Sequence, residues 1–378
     1  MGKDVRVQIT SGMFTALIVN LVYPKAIGLT QGIMERQAGG DFWLATIFAI
    51  LQGGLVLLLT VWVVNRLPNR SLAEQADVVL GKWIGKVIHL SLFVFFVGAF
   101  GASAISFVYH LMDYFLPDIP IYVFVLAILV VTVYALFHGL EVISRMAIVG
   151  VFSILMLNIL LLIGSLKDFD VSQLLPVLQS GFTHTLWVSR QHDTDWAVPV
   201  AITGLILPYV SKPKEWRSSA LVGAFFGGVT VLMWPMLEAG VLSPQETGQY
   251  IVACMQMARS AEIGHFIHRY EMIMVAFFGI SLLVQLMLCL FGASLSAAKL
   301  IGLKDYRPAI VPVALLVGIA AYLLVLDHNW AIIWLADWWP WLAVPVGFGL
   351  PILVGLLSLI RYKKIKQLAA SGSVAQNA

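Results

Sequence analysis

Few residues in this chain have the types and spacing that do chemistry, because only 11% of its 378 positions are charged. His184, His192, Asp193 and Asp195 stand close together and offer nitrogen and oxygen ligands. Their spacing matches neither the Cys/His pattern of structural zinc nor the carboxylate pattern of a calcium loop. They read as a solvated loop at a membrane interface, with no metal. Glu141 and Arg145 are four residues apart and share one helix face, which reads as an ion pair, structural or gate-forming. Glu238 and Glu271 fall at the ends of apolar runs. His89 and His110 fall near opposite ends of another run, and Lys25 follows a proline. No acidic residue is expected at mid-membrane, where a charge costs about 3 kcal/mol or more. The sequence has no Walker motif, GxGxxG, CxxC or HExxH, so no cofactor and no enzyme chemistry is expected.

The stronger signal lies in the backbone. "NLVYP" ends at Pro24 and "GLILP" ends at Pro208, each inside an apolar run. Proline removes a helical N–H. Lipid cannot satisfy freed backbone groups, so an interrupted helix belongs against an enclosed cavity. A half-helix N-terminus offers unpaired N–H groups and a positive dipole end, which suit a carboxylate. Asn20, Thr203 and the small Gly204 would line a pocket for a small zwitterion such as an amino acid. Leu21, Val22, Leu205 and Ile206 would favour a small or apolar side chain on it. Gly98 and Gly101 lie mid-span and read as close helix contacts that also leave room for a ligand.

The elements that must position these residues are membrane helices. The chain is 60% hydrophobic with mean hydropathy +0.91, where soluble domains carry about 25% charged residues. Ten apolar runs are long enough to span a bilayer or nearly so. They cover 7–24, 42–65, 87–112, 119–140, 146–166, 196–211, 218–237, 272–298, 308–326 and 338–360. Ten spans put both termini on one side. With the termini inside, seventeen Lys and Arg fall inside and six outside, as cytoplasmic orientation requires. The net charge of +3 is therefore a topology signal and implies no nucleic-acid partner. A shift of 184 residues, which carries Pro24 onto Pro208, lays spans two to four over spans seven to nine. Five spans per copy make the second copy inverted, as in one class of secondary transporters. The fold class is an all-α polytopic membrane protein with two inverted repeats, about 7–166 and 190–361, and with helices one and six broken. Residues 1–365 form one transmembrane domain, and 366–378 read as a disordered cytoplasmic tail.

Outside the spans, Ser243 and Pro244 read as the N-cap and first residue of a surface helix. Ile251, Met255 and Ala258 share one face of it, and the helix is either a connector or a lid. Five of the twelve tryptophans lie in 330–341, at the outer interface. Cys254 and Cys289 lie at different depths and give no disulfide framework.

Several stretches, in order, carry a family resemblance: "AGGDFWLATI", "LPNRSLAEQADVVLGKWIGKVI", "GLEVISRMA", "PVLQSGF" and "RYEMIMVAFF". Together they resemble the spore germination permeases, the B subunits of GerA-type germinant receptors. The resemblance implies a ten-helix member of the amino acid–polyamine–organocation superfamily with a LeuT-like core. It implies the inner membrane of an endospore, with a larger A-type membrane subunit and a C-type lipoprotein subunit as partners. It also implies a germinant site between helices one, three, six and eight. On this chain those positions are Asn20 to Pro24, including Tyr23, then Gly98 to Ser103, Thr203 to Pro208, and Ser281. Helix six departs from the family pattern in having only Thr203 as a polar residue before Pro208. A cation-coupled amino acid permease acting alone is the competing reading.

Overall fold

Apolar runs without charge fold into helices because a helix satisfies its own backbone groups inside lipid. The computed structural model describes residues 9–262 and 270–361, excepting the side chains at 25, 26 and 28. The expected tail at 366–378 lies outside the described residues. The first half comprises α1 (Ser11–Lys25), α2 (Gln31–Ala38), α3 (Phe42–Val64), α4 (Leu72–Leu80), α5 (Lys82–Met112), α6 (Ile121–His138) and α7 (Leu140–Ser165). The second half comprises α8 (Phe182–Val188), α9 (Arg190–Ile206), α10 (Trp216–Leu242), α11 (Pro244–Thr247), α12 (Ala253–Ser260), α13 (Glu271–Ile301), α14 (Ile310–Val325), α15 (His328–Ile333), α16 (Trp339–Val344) and α17 (Leu350–Ile360). Among the described residues the extended structure is one parallel bridge, Ile9 to Val210.

Eight helical stretches among the described residues are long and apolar enough to cross a membrane. They match expected spans two to five and seven to ten. Spans one and six are the exceptions: α1 has 15 residues and α9 has 17. The bridge joins the start of the first to the end of the other. The 184-residue shift carries α5 onto α13 within five residues at each end.

The breaks differ from the expectation. α1 runs through Asn20 and Pro24, and a π-helical turn over Ala26–Thr30 follows before α2. α9 runs to Ile206 and tightens into a 3-10 turn over Leu207–Tyr209. Neither "NLVYP" nor "GLILP" is unwound. A proline tolerates helical φ, and only the carbonyl four residues earlier loses its partner. The irregular backbone therefore begins just past Pro24 and at Pro208.

Small residues set the closest approaches. A Cβ on Gly223 would meet Ile18 at 2.9 Å, so α10 lies directly on α1. Gly53 faces the Trp196 ring, which locks α3 to α9, and Gly292 faces Phe96, which locks α13 to α5. Outside, the Ser243 hydroxyl accepts from the Glu246 N–H and Pro244 opens α11, as read from sequence. Met255 and Ala258 of α12 are buried, while Ile251 before it is half-buried. The tryptophan stretch is split. Trp330, Trp338 and Trp341 are exposed, whereas Trp339 is buried and stacks on Phe95.

Candidate functional site

Asn20 is fully buried where α1 meets α7 and α13. Its Nδ2 donates to the Ala16 carbonyl at 2.8 Å and the Ala147 carbonyl at 2.7 Å. Its Oδ1 has no partner among the described residues. A Cβ on Gly150 of α7 would fall 2.0 Å from that oxygen, so glycine is what lets the amide enter. The Asn20 carbonyl accepts from the Ser281 hydroxyl of α13 at 3.1 Å.

One turn outward, Tyr23 opens a second buried polar cluster. Its hydroxyl donates to Asn158 Oδ1 at 2.6 Å. Trp234 Nε1 points at both the Tyr23 hydroxyl, at 3.1 Å, and Asn158 Oδ1, at 3.2 Å. Asn158 Nδ2 donates to the Thr230 carbonyl. These bonds tie α1, α7 and α10 together. Further buried polar atoms lack partners among the described residues: Thr203 Oγ1 on α9, Ser106 Oγ on α5 and Gln285 Oε1 on α13. Most buried polar atoms in native proteins are paired, and these three are exceptions among the described residues.

The other sequence-derived site residues lie elsewhere. Leu205 and Pro208 line a cavity of about 40 Å³ with Ser71, Glu74, His89, Ser296 and Lys299. Lys299 Nζ lies 2.7 Å from Glu74 Oε1, an ion pair between α13 and α4 in the wall of this cavity. Gly204 packs on Leu72 of α4, where an added Cβ would meet side-chain carbons at 3.1 Å. Gly98 faces the Trp339 ring and Gly101 faces Leu324, so their missing side chains admit α16 and α14. Leu21, Val22 and Ile206 are buried in the helix core. The structure thus brings Asn20 and Ser281 together, and sets the Gly204–Pro208 stretch against α4 and this cavity. Glu141 and Arg145 do pair, at 2.5 Å, with both side chains exposed, where such a pair contributes about 0–1 kcal/mol.

The polar cluster before span six corrects the sequence reading. His192, Asp193 and Asp195 are buried inside α9, not in a solvated loop, because α9 starts at Arg190 and packs on α3 and α16. His192 Nδ1 donates to Asp195 Oδ2 at 2.7 Å. His184 alone keeps the exposed role, beside the Gln37 carbonyl. No group of three His, Cys, Asp or Glu among the described residues is placed to hold a metal. Sequence reasoning also missed Asn158, Trp234 and Gln285, which read as ordinary residues of apolar runs.

An apolar groove of about 430 Å³ lies between α1, α7 and α10. Its hydroxyls, Thr15 and Thr230, are already bonded to backbone carbonyls. It is an apolar surface and offers nothing to a charged molecule.

The fold is shared with solved transporters. The chain superposes on MhsT in complex with L-phenylalanine with TM-score 0.64, at 14% identity, over 92% of this chain and 87% of that one. A Na+-coupled sialic acid symporter, substrate-bound and outward-open, gives 0.61 at 13% identity, over 91% and 78%. The class is therefore a multi-pass helical membrane protein with a LeuT-like fold.

Within that class the family is defined by sequence. The family described as "Spore germination protein" matches residues 8–329, and the chain belongs to this family of spore germination permeases. Spore germination protein YndE of Bacillus subtilis (strain 168) is 22% identical over 301 residues, covering 77% of this chain and 81% of that protein. Spore germination protein GerQB of Bacillus cereus is 22% identical over 315 residues, covering 82% and 84%.

Proposed function

We propose that this chain is the germinant-sensing B subunit of a spore germination receptor. It binds a small germinant, an amino acid, in a transporter-like core and signals to A-type and C-type partner subunits. The membrane is the inner membrane of the spore, with both termini on the core side. The observation that carries the reading is the buried polar core at Asn20 and Ser281, inside a germination-permease chain. Unpaired oxygens on α1, α5, α9 and α13 supply acceptors and hydroxyls for a zwitterion. That a fold neighbour was solved with L-phenylalanine supports an amino acid as the ligand class.

A ligand shifts a conformational equilibrium only through unequal affinity for the two states. Asn20 is held by α7 and α13 at once. Movement of α1 against either helix changes its bonding. The test is deletion of the gene followed by exposure of the spores to a panel of amino acids and other small germinants. Loss of the response to at least one compound, restored by the wild-type gene and not by Ser281→Ala, is the expected result. Restoration by both genes removes Ser281 and its Asn20 contact from the site.

A further inference from the structure

Glu238 lies in the outer part of α10 and is fully buried. Neither side-chain oxygen has a hydrogen-bond partner among the described residues. Its backbone alone is engaged, accepting from Thr247 Oγ1 of the roofing segment α11 at 3.3 Å. Among the described residues, Glu35 of α2 lies against Gly248 at the end of α11, and the other charged and titratable groups on the surrounding elements are committed elsewhere. Arg36 of α2 donates to the Gly248 carbonyl. Glu246 of α11 accepts from the Tyr250 hydroxyl. Arg259 of α12 lies over the Tyr114 ring and 3.8 Å from Glu271. Asp170, in the loop bonded to the Gly240 carbonyl, accepts from the Ser172 N–H. Tyr23 of α1 donates to Asn158.

That leaves Cys254 of α12. Burial pushes its thiol up, and a charge on Glu238 would push it further. The thiol donates to Nε2 of His110 on α5 at 3.4 Å, while His110 Nδ1 donates to the Ser106 carbonyl. A neutral imidazole and a neutral thiol supply no positive charge to Glu238. An ionised carboxylate there would lose its hydration with no cation or donor among the described residues in exchange. The geometry therefore holds Glu238 as the neutral acid.

We propose that Glu238 is a proton-binding site, loaded as α11 and α12 close over the outer end of α10. On closure a carboxylate oxygen forms an O–H bond with a proton drawn from outer-face water. On opening, water returns, that bond breaks and the proton leaves to bulk; no electron moves. Low pH favours the closed outer face and high pH the open one. This holds whatever the protein senses. It supplies the coupling acid that the sequence did not place at mid-membrane, in the outer part of α10 instead.

Infrared spectroscopy of the purified full-length chain in lipid vesicles tests it. A carboxylic-acid C=O band at neutral pH that is missing from Glu238→Gln is expected. The same acid band in both proteins overturns the proposal. So does a carboxylate band in its place that responds to sodium or potassium. Glutamine matches the neutral acid in shape, so the variant folds. A second measurement follows Cys254 alkylation against pH in a Cys289→Ser background. At saturating reagent, where the rate reports opening and not the thiolate fraction, it climbs with pH in the parent and stays flat with Glu238→Gln, and equal slopes overturn the proposal.

Discussion

The Ser281 hydroxyl bonds the Asn20 carbonyl at 3.1 Å, and Asn20 is the residue four before Pro24. In a regular helix that carbonyl accepts from the N–H at position 24, which proline lacks. A side chain of α13 thus replaces the bond that α1 cannot make. This is why α1 stays helical through "NLVYP", and why the first interruption of the chain is registered against α13.

Ser281→Ala leaves the Asn20 carbonyl buried without a donor. The expected loss is about 1–3 kcal/mol, read as a lower thermal unfolding midpoint in detergent. Ser281→Thr keeps the hydroxyl and should stay within experimental error of the parent. Equal midpoints for all three proteins would mean the hydroxyl does not support the helix.

The Tyr23, Asn158 and Trp234 cluster acts as one unit, since one amide oxygen serves two donors. Asn158→Leu strands the Tyr23 O–H in the core and leaves Trp234 Nε1 with the Tyr23 oxygen alone, so it should destabilise more than Tyr23→Phe. Combining the two should fall short of the summed single effects by about 0.5–3 kcal/mol, as residues of one network do. Unfolding midpoints of the four proteins of the cycle give the answer, and strict additivity would break the cluster into independent bonds.

Gly150→Ala introduces a methyl 2.0 Å from Asn20 Oδ1. The amide is held by two carbonyls and cannot swing aside without giving them up. Overpacking of this kind costs about 1–3 kcal/mol. The variant should accumulate at a reduced level and lose its germinant response. Gly54→Ala, on α3 with nothing near its added carbon, is the control and should behave as the parent.

The sequence revealed what is local and periodic. The spans follow from length and hydropathy, and the special register of Pro24 follows from one missing N–H. Ser243 and Pro244 announced their helix by chemistry confined to one turn. What stayed hidden depends on partners far away in sequence. Asn158 meets Tyr23 across 135 positions, and nothing near Asn158 hints at it. Gly98 and Gly101 carry the same signature whether a ligand or an indole fills the space, and here Trp339 and Leu324 do. His192, Asp193 and Asp195 were misplaced because polar residues at the head of an apolar run look like a loop. Their burial comes from α3 and α16, which no window over α9 contains.

The cavity lined by Glu74 and Lys299 yields the last prediction. Glu74 and Lys299 are each about a third exposed, at 32% and 37%, so breaking the pair should change stability by no more than about 1 kcal/mol. Its consequence is access. Lys299 leaves α13 toward α4, and Ser296, one turn earlier, lines the same cavity as the pair. With Ser296→Cys as a reporter in a background lacking Cys254 and Cys289, Lys299→Ala should raise labelling by a membrane-impermeant thiol reagent applied from the membrane face nearer the cavity. Glu74→Lys with Lys299→Glu restores the pair in reverse and should return labelling toward the parent level. A rise in the single variant that the swap fails to reverse would assign closure to the lysine's apolar stem. No rise at all would mean that the pair does not control access to Ser296, and would turn the test to the Ile9–Val210 bridge and the Ser11–Glu215 hydrogen bond.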